Sequence, residues 1–276
     1  MKQFGEGYVE QGGLQVVTTL DYKLQEQAEN IVKEEIDKAK GLKVGNGAAV
    51  VVDPKNGEIL AMVGSKDYFD EENDGNFNAT LAFRQPGSAI KPVTYAAALN
   101  KGYTAATLLM DTKTVFPNQG EEDYTPANYD GKFHGPLQVR FALGSSINIP
   151  AVKMLAQVSI KDMLTTASNI GLTTLSPTDA NIKRFGLSIT LGGGEVKLLD
   201  LAESYSVFAN GGFRVEPVSI LKVEDPGGKT FFEHKETSKR KVLSEEIAFI
   251  MSHMLLDNNA RLITFGENSF LNVRGR

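Results

Sequence analysis

Ser88 and Lys91 form the first pair of residues in this sequence whose types and spacing could do chemistry. Pro86-Gly87 predicts a turn, after which Ser88 begins a helix and Lys91 follows one turn later on the same face. A desolvated lysine near the positive end of a helix should have a lowered pKa. The neutral amine could then accept the serine proton and activate the hydroxyl as a nucleophile. The alternative is a simple cap at Ser88 beside a solvated lysine.

A second pair stands ahead of another predicted helix. Ser146 and Asn148 place a hydroxyl and an amide two residues apart, just before Pro150. One interpretation is an ordinary helix start with a capping side chain and proline at the first helical position. The other is a site in which Ser146 relays a proton and Asn148 holds a substrate carbonyl.

The elements that must position these pairs can be predicted from pattern. A hairpin is predicted where Ala48–Asp53 and Glu58–Gly64 flank the turn 54–57, which contains Asn-Gly. Asp21 is expected to cap a helix with Leu24, Ala28, Ile31, Glu35 and Ala39 on one stripe. Further helices are predicted at 88–99, 149–158, 161–170, 196–210 and 244–257, and short strands at 14–19 and within 213–233. Residues 111–136 are expected to be an irregular crossing. The order indicates an α+β fold with a largely helical insertion.

Composition excludes several classes of protein. The 276 residues carry 29 Lys+Arg and 34 Asp+Glu, a net charge of −5, without a basic block of the kind that grips nucleic acid. No run approaches the roughly 18 apolar residues of a membrane-spanning helix. Cysteine is absent, which excludes disulfides, a thiol nucleophile and thiolate metal sites. We expect no metal and no cofactor.

The motifs together resemble the transpeptidase domain of class A penicillin-binding proteins. Arg-Gln-Pro-Gly-Ser-x-x-Lys-Pro holds Ser88 and Lys91, and Ser-x-Asn-x-Pro-Ala-Val holds Ser146 and Asn148. Similar stretches recur at 12–21, 128–135, 191–196 and 208–212, so the resemblance covers roughly residues 7–276. It implies a serine β-lactamase/penicillin-binding-protein transpeptidase-like fold, an antiparallel sheet with a large helical subdomain.

The resemblance also implies a role for each residue. Ser88 would attack the penultimate D-Ala carbonyl of a peptidoglycan stem peptide, with Lys91 as general base. Ser146 would help carry the proton to the leaving D-Ala, Asn148 would bind the substrate amide, and the Ser88 backbone N–H would be half of the oxyanion hole. β-Lactam antibiotics would acylate Ser88 in the same way. The implied location is the extracytoplasmic face of the bacterial cell membrane.

One family motif is absent from the printed sequence. No lysine is followed by Thr-Gly or Ser-Gly; Lys113 and Lys229, the two Lys-Thr pairs, continue to Val115 and Phe231. In the family, that motif follows a segment like Phe265–Gly275. It supplies the substrate-carboxylate site, the other oxyanion N–H and part of the sheet. The sequence therefore suggests an excised piece in which 1–20 is a linker from an upstream glycosyltransferase domain. Residues 21–276 would then be a transpeptidase domain lacking its C-terminal strands.

Three functions remain open at this point. The favoured one is a D,D-transpeptidase. The second is an inactive or split fragment that needs a companion polypeptide, or a further segment, carrying Lys-Thr-Gly. The third, less favoured, is a β-lactamase, because Ser146-x-Asn148 replaces the Ser-Asp-Asn of class A β-lactamases. Two weaker patterns, Gly192-Gly193-Gly194 as a phosphate cradle and the acidic run 70–74 as a calcium loop, are more simply a structural turn and a solvated loop.

Overall fold

The chain divides into two compact units in a computed structural model that describes residues 13–117, 122–235 and 238–272. The first unit holds the chain up to Ala82 together with Lys197–Ser206 and Arg214–Arg240. The second holds Phe83–Val196, Val207–Phe213 and the chain from Lys241 onward. The predicted α+β character is confirmed.

The helices, in chain order, are α1 Tyr22–Lys38, α2 Lys91–Asn100, α3 Val139–Gly144, α4 Asn148–Val158, α5 Ile160–Asn169, α6 Asp179–Arg184, α7 Leu198–Ala209, α8 Glu245–Leu256 and α9 Leu262–Phe265. The strands are β1 Gln15–Thr18, β2 Ala49–Val52, β3 Ile59–Val63, β4 Leu108–Asp111, β5 Gly135–Gln138, β6 Phe213–Val215, β7 Ile220–Glu224, β8 Thr230–Glu233 and β9 Lys239–Lys241. None of the helices in the described part of the chain is long and apolar enough to cross a bilayer.

In the first unit, α1 covers the predicted hairpin β2–β3. Asp21 caps the helix as predicted, because its side chain accepts from the backbone N–H groups of Lys23 and Leu24. The buried stripe differs from the expected one, since Ala28 and Val32 face the hairpin whereas Ile31 is 60% exposed. The true stripe recurs every four residues. A hairpin alone is marginal in water, and this helical cover is what stabilises it.

The predicted strands within 213–233 do not extend that hairpin. β7 and β8 pair antiparallel with each other, and β7 pairs with β1, giving a three-stranded sheet of order β1-β7-β8. The chain just ahead of β7 contacts the hairpin through an isolated parallel bridge between Glu58 and Val218, in which the Ile59 N–H donates to the Val218 carbonyl. The Thr19 hydroxyl donates to the carbonyls of Ile59 and Val218 at the same place. Among the described residues, β2–β3 therefore remains a two-stranded element.

In the second unit, α2 is the central helix. Residues 91–99 are all buried, which is the pattern of a helix packed on every side. It packs against α4, α5 and the short turn Leu187–Leu191, where Thr94 and Thr190 share a hydrogen bond of 2.8 Å between their hydroxyls. Because its first residue is Lys91, this packing fixes the base of that side chain.

Residues 111–136, expected to be irregular, are flanked by two paired strands that the sequence did not predict. β4 and β5 pair antiparallel from Leu108↔Gln138 to Asp111↔Gly135, so they close the base of the excursion 112–134. Within it, Phe116 and Tyr124 form an isolated bridge. Both strands have only four residues, and β5 contains Pro136, so they carry little β signal and their pairing was not visible in the sequence.

Candidate active site

Ser88 lies on a 3₁₀ turn, Gly87–Ile90, that leads directly into α2. Gly87 takes a positive φ of 57°, and Gly192, also at positive φ, approaches so closely that a Cβ there would lie 2.4 Å from the Gly87 nitrogen. Gly192, the first residue of the triglycine, is therefore a packing feature of the serine turn, whereas Gly193 and Gly194 face other residues. The Ser88 side chain is exposed and makes no hydrogen bond among the described residues. Interpreting Ser88 as a helix cap is wrong, since neither the turn nor α2 has a side-chain cap bond.

Lys91 is a buried cation, so its interpretation as a solvated surface charge is also wrong. Lys91 is only 1% exposed to solvent. The ammonium donates to the Ser146 carbonyl at 2.5 Å, to the Ser146 hydroxyl at 3.1 Å and to Asn148 Oδ1 at 2.7 Å. Lys91 keeps helical φ and ψ of −54° and −39° despite Pro92. A proline in the first helical turn removes an N–H that had no partner there in any case.

Burial lowers the pKa of Lys91 to about 8 from its ordinary value. The physical cause is desolvation, which disfavours the charged form, and no carboxylate takes part in the shift. At neutral pH an appreciable minority of the molecules therefore carries a neutral amine, which is what a general base requires.

Ser146 is held in a strained backbone conformation, with φ of 55° in a residue that is not glycine. Its neighbour Ser145 is fully buried and bonded on both sides. The Ser145 hydroxyl donates to the Ala260 carbonyl at 2.7 Å, and its carbonyl accepts from the Thr264 hydroxyl at 2.6 Å. These contacts over-determine the loop, as strained residues need, and keep the Ser146 carbonyl and hydroxyl directed at Lys91.

Asn148 is fixed at both ends of its amide. Its Oδ1 accepts from Lys91 and its Nδ2 donates to the Ala127 carbonyl at 2.9 Å. The predicted helix 149–158 begins one residue earlier, at Asn148, and its cap residue, Ile147, has no side-chain oxygen. The structure therefore joins Lys91, Ser146 and Asn148 by hydrogen bonds, with Ser88 one turn away on the same short segment.

Three further polar residues, Asp111, Asn128 and His134, lie behind Asn148. Asp111 is fully buried at the end of β4, and its carboxylate accepts from Asn128 Nδ2 and from the His134 backbone N–H. Asn128 in turn accepts from the backbone N–H groups of Asn148 and Ile149. Sequence reasoning singled out the stretch 128–135 by resemblance alone. No local pattern pointed to Asp111 or Asn128, because Ser146 and Asn148 offered capping side chains of their own at the predicted start of this helix.

The described residues offer no cluster of side chains that could bind a metal ion. Across the three described ranges, no group of three His, Asp or Glu side chains comes close enough together to hold an ion, and that includes the acidic run 70–74.

Solved structures of penicillin-binding proteins share this fold. Penicillin-binding protein 1A from Haemophilus influenzae superposes with a TM-score of 0.79 at 22% identity, covering 94% of this chain and 56% of that one. PonA1 from Mycobacterium tuberculosis, solved in complex with penicillin V, gives a TM-score of 0.75 at 21% identity, covering 91% and 65%. The predicted penicillin-binding-protein fold is thereby confirmed.

Sequence comparison agrees with the fold. Penicillin-binding protein 2D of Bacillus subtilis (strain 168) is 33% identical over 270 residues, which are 97% of this chain and 36% of that protein. Penicillin-binding protein 1A of Aquifex aeolicus (strain VF5) is 40% identical over 190 residues, 68% of this chain and 24% of that protein. This chain thus spans well under half the length of either relative. The sequence model of the penicillin binding protein transpeptidase domain matches residues 47–262, and with the Bacillus likeness this shows that the chain belongs to that family.

Proposed function

We propose that this chain carries the acyl-transfer site of a D,D-transpeptidase that cross-links peptidoglycan stem peptides through a serine acyl-enzyme. The observation that carries the proposal is the buried Lys91, bonded to Ser146 and Asn148 and placed one turn after the exposed Ser88. A buried amine with a lowered pKa beside a serine turn is the arrangement that makes a hydroxyl nucleophilic.

The reaction then runs in two steps. Ser88 Oγ bonds to the penultimate D-Ala carbonyl carbon while its proton passes to the Lys91 amine. The C–N bond to the terminal D-Ala breaks, and Ser146 helps deliver that proton to the departing amine. Asn148 binds the substrate amide, and the Ser88 N–H donates to the oxyanion. An amine from a neighbouring strand then attacks the ester carbonyl and gives a proton to Lys91. The ester C–O bond breaks, Ser88 Oγ takes the proton back from Lys91, and the new C–N bond is the cross-link.

Two further assignments belong to this proposal. β-Lactams would acylate Ser88 as substrate mimics, in keeping with the relatives named as penicillin-binding proteins. The site would work at the extracytoplasmic face of the bacterial membrane, with residues 1–20 as the connection to an upstream glycosyltransferase domain and 21–276 as transpeptidase.

This sequence has no Lys-Thr-Gly or Lys-Ser-Gly, the family motif that would supply the second oxyanion donor. We propose that a further segment or a companion polypeptide supplies it, and that the 276 residues without it form a split, poorly active site. Removing one oxyanion donor costs about 10²–10³ in rate. A β-lactamase is less well supported, since it would need a group that activates water against the acyl-enzyme.

The acylation rate should depend on the ionisation of Lys91. Only the neutral amine can accept the Ser88 proton, and burial places the Lys91 pKa at about 8. The rate constant for acylation by a penicillin should therefore rise about tenfold per pH unit on the acid side and level off above the pKa. Stopped-flow acylation between about pH 6 and pH 10, corrected for spontaneous β-lactam hydrolysis, measures the curve. A profile that is flat, or that falls with pH, would exclude Lys91 as the base.

Cross-linking itself is tested with a stem pentapeptide ending in D-Ala-D-Ala and an amine acceptor. A polypeptide that contains both this chain and a Lys-Thr-Gly strand should release D-Ala in step with dimer formation, measured by mass spectrometry. The 276 residues alone should do so about 10²–10³ more slowly. Steady turnover of a β-lactam would instead indicate a β-lactamase, and equal rates for the two proteins would contradict the proposed need for a second segment.

A further inference from the structure

Helix α4 begins at the candidate site without a cap of its own. The first N–H groups of any helix lack partners within the helix and are usually satisfied by a Ser, Thr, Asn or Asp side chain just before it. Here that position is Ile147, which has no acceptor. The N–H groups of Asn148 and Ile149 bond instead to Asn128 Oδ1, each at 3.1 Å. Asn128 is a remote cap, 20 residues earlier in the chain.

The orientation of the Asn128 amide is set from its other side. Nδ2 lies 2.9 Å from both carboxylate oxygens of Asp111 and 2.7 Å from the Lys132 carbonyl. These are all acceptors, so the amide nitrogen must face them and the oxygen must face α4. Asp111 is in turn fixed by the backbone N–H of His134 at 2.8 Å and by His134 Nδ1 at 2.7 Å.

Residues 127–128 also bind the Asn148 side chain. The carbonyl of Ala127, next to Asn128, accepts from Asn148 Nδ2 at 2.9 Å, which turns Asn148 Oδ1 toward Lys91. Asn148 is therefore held by its backbone through Asn128 and by its amide through Ala127. A shift of the 127–128 stretch would move the Lys91 acceptor with it.

We propose that Asn128, oriented by the buried carboxylate of Asp111, is a positioning residue for acylation. It acts through Asn148 on Lys91 and touches no reacting atom. The inference rests on the proposed function, because it assigns Asn128 a part in that reaction. Misplacing a catalytic group by about 1 Å can cost about 10²-fold in rate, which sets the size of the expected effect.

The decisive comparison uses a variant that adds a charge at Asn128 and a double variant that exchanges the two side chains of Asp111 and Asn128. Asn128→Asp keeps an oxygen toward α4 but puts a second carboxylate against Asp111, and like charges at this distance repel. The double variant D111N/N128D again places an amide donor, now at position 111, against a carboxylate acceptor at position 128. It loses the hydrogen bond from position 128 to the Lys132 carbonyl. Asp130→Asn is the matched control, since Asp130 pairs with the same His134 ring but is half-exposed and forms no hydrogen bond with Asn128 among the described residues.

The first measurement is labelling by a fluorescent penicillin in the intact protein that carries this chain. Asn128→Asp should label about 10²-fold more slowly yet reach full stoichiometry. The double variant should recover most of the rate, and Asp130→Asn should match the unmodified protein. A purely structural role would instead leave the rate constant unchanged and lower the labelled fraction. An unchanged rate constant in Asn128→Asp would overturn the proposal. So would a slow rate in Asn128→Asp that the double variant D111N/N128D does not recover.

The second measurement does not depend on any reaction. Backbone hydrogen exchange at the Asn148 and Ile149 amides should be faster in Asn128→Asp than in the unmodified protein and slow again in the double variant. If the unmodified protein takes up no penicillin but this exchange pattern holds, the proposed function fails while the capping role stands. Unchanged exchange at both amides would overturn the capping role whatever the labelling shows.

Discussion

Ser88→Ala should abolish covalent labelling by β-lactams, with a loss of roughly 10⁶ in acylation rate, the size measured when a serine nucleophile is removed. The structure provides the reason. Ser88 is an exposed hydroxyl on a turn fixed by the close approach of Gly192 to Gly87, one helical turn before a buried amine. No other hydroxyl on that turn could take over the attack, because Gly87, Ala89 and Ile90 have none.

The measurement is gel fluorescence after incubation with a fluorescent penicillin, with thermal unfolding to verify the fold. Ser219→Ala, an exposed serine in the other unit, is the matched control and should label normally. Ser146→Ala should slow labelling without abolishing it, since Ser146 is proposed to carry a proton and not the acyl group. If Ser88→Ala is still labelled at the rate of the unmodified protein, the nucleophile has been wrongly assigned.

Lys91→Arg should lower the acylation rate by roughly 10²–10⁴, the usual effect of losing a general base. Arginine preserves the positive charge and can still donate to the acceptors of Ser146 and Asn148. It cannot release a proton in the accessible pH range, so it cannot accept the one from Ser88. The variant thus separates a base from an electrostatic partner.

Lys101→Arg is the control for this change, because Lys101 follows the same helix but forms a half-exposed ion pair with Asp162 at 2.6 Å. Its acylation should stay near that of the unmodified protein. The rates come from stopped-flow acylation on samples of matched thermal stability. If Lys91→Arg acylates as fast as the control, Lys91 is electrostatic or structural and the proposed mechanism loses its base.

Local patterns predicted much of this molecule. The Asn-Gly hairpin and the Asp21 cap of α1 both depend on residues close together in the sequence, and the structure confirms them. Ser88-x-x-Lys91 was found for the same reason. A short spacing fixes which side chains share a face before any tertiary contact forms.

Long-range contacts could not be derived from local pattern, and only the family resemblance had grouped Ser146 and Asn148 with Lys91. The partners of Lys91, at Ser146 and Asn148, lie 55 and 57 residues away. Asn128 caps a helix that has no cap residue of its own, and Asp111 orients Asn128 from the end of an unpredicted strand. The α1 stripe was misassigned because the hairpin beneath it, and not helix periodicity alone, decides which residues are buried.

The most direct test of the central claim is to locate the acyl group. The intact protein carrying this chain is incubated with a penicillin, digested, and its peptides are sequenced by tandem mass spectrometry. The account predicts a single adduct, on Ser88, that persists without steady release of hydrolysed drug. An adduct on Ser146 or any other residue, or rapid turnover that leaves no adduct, would contradict it.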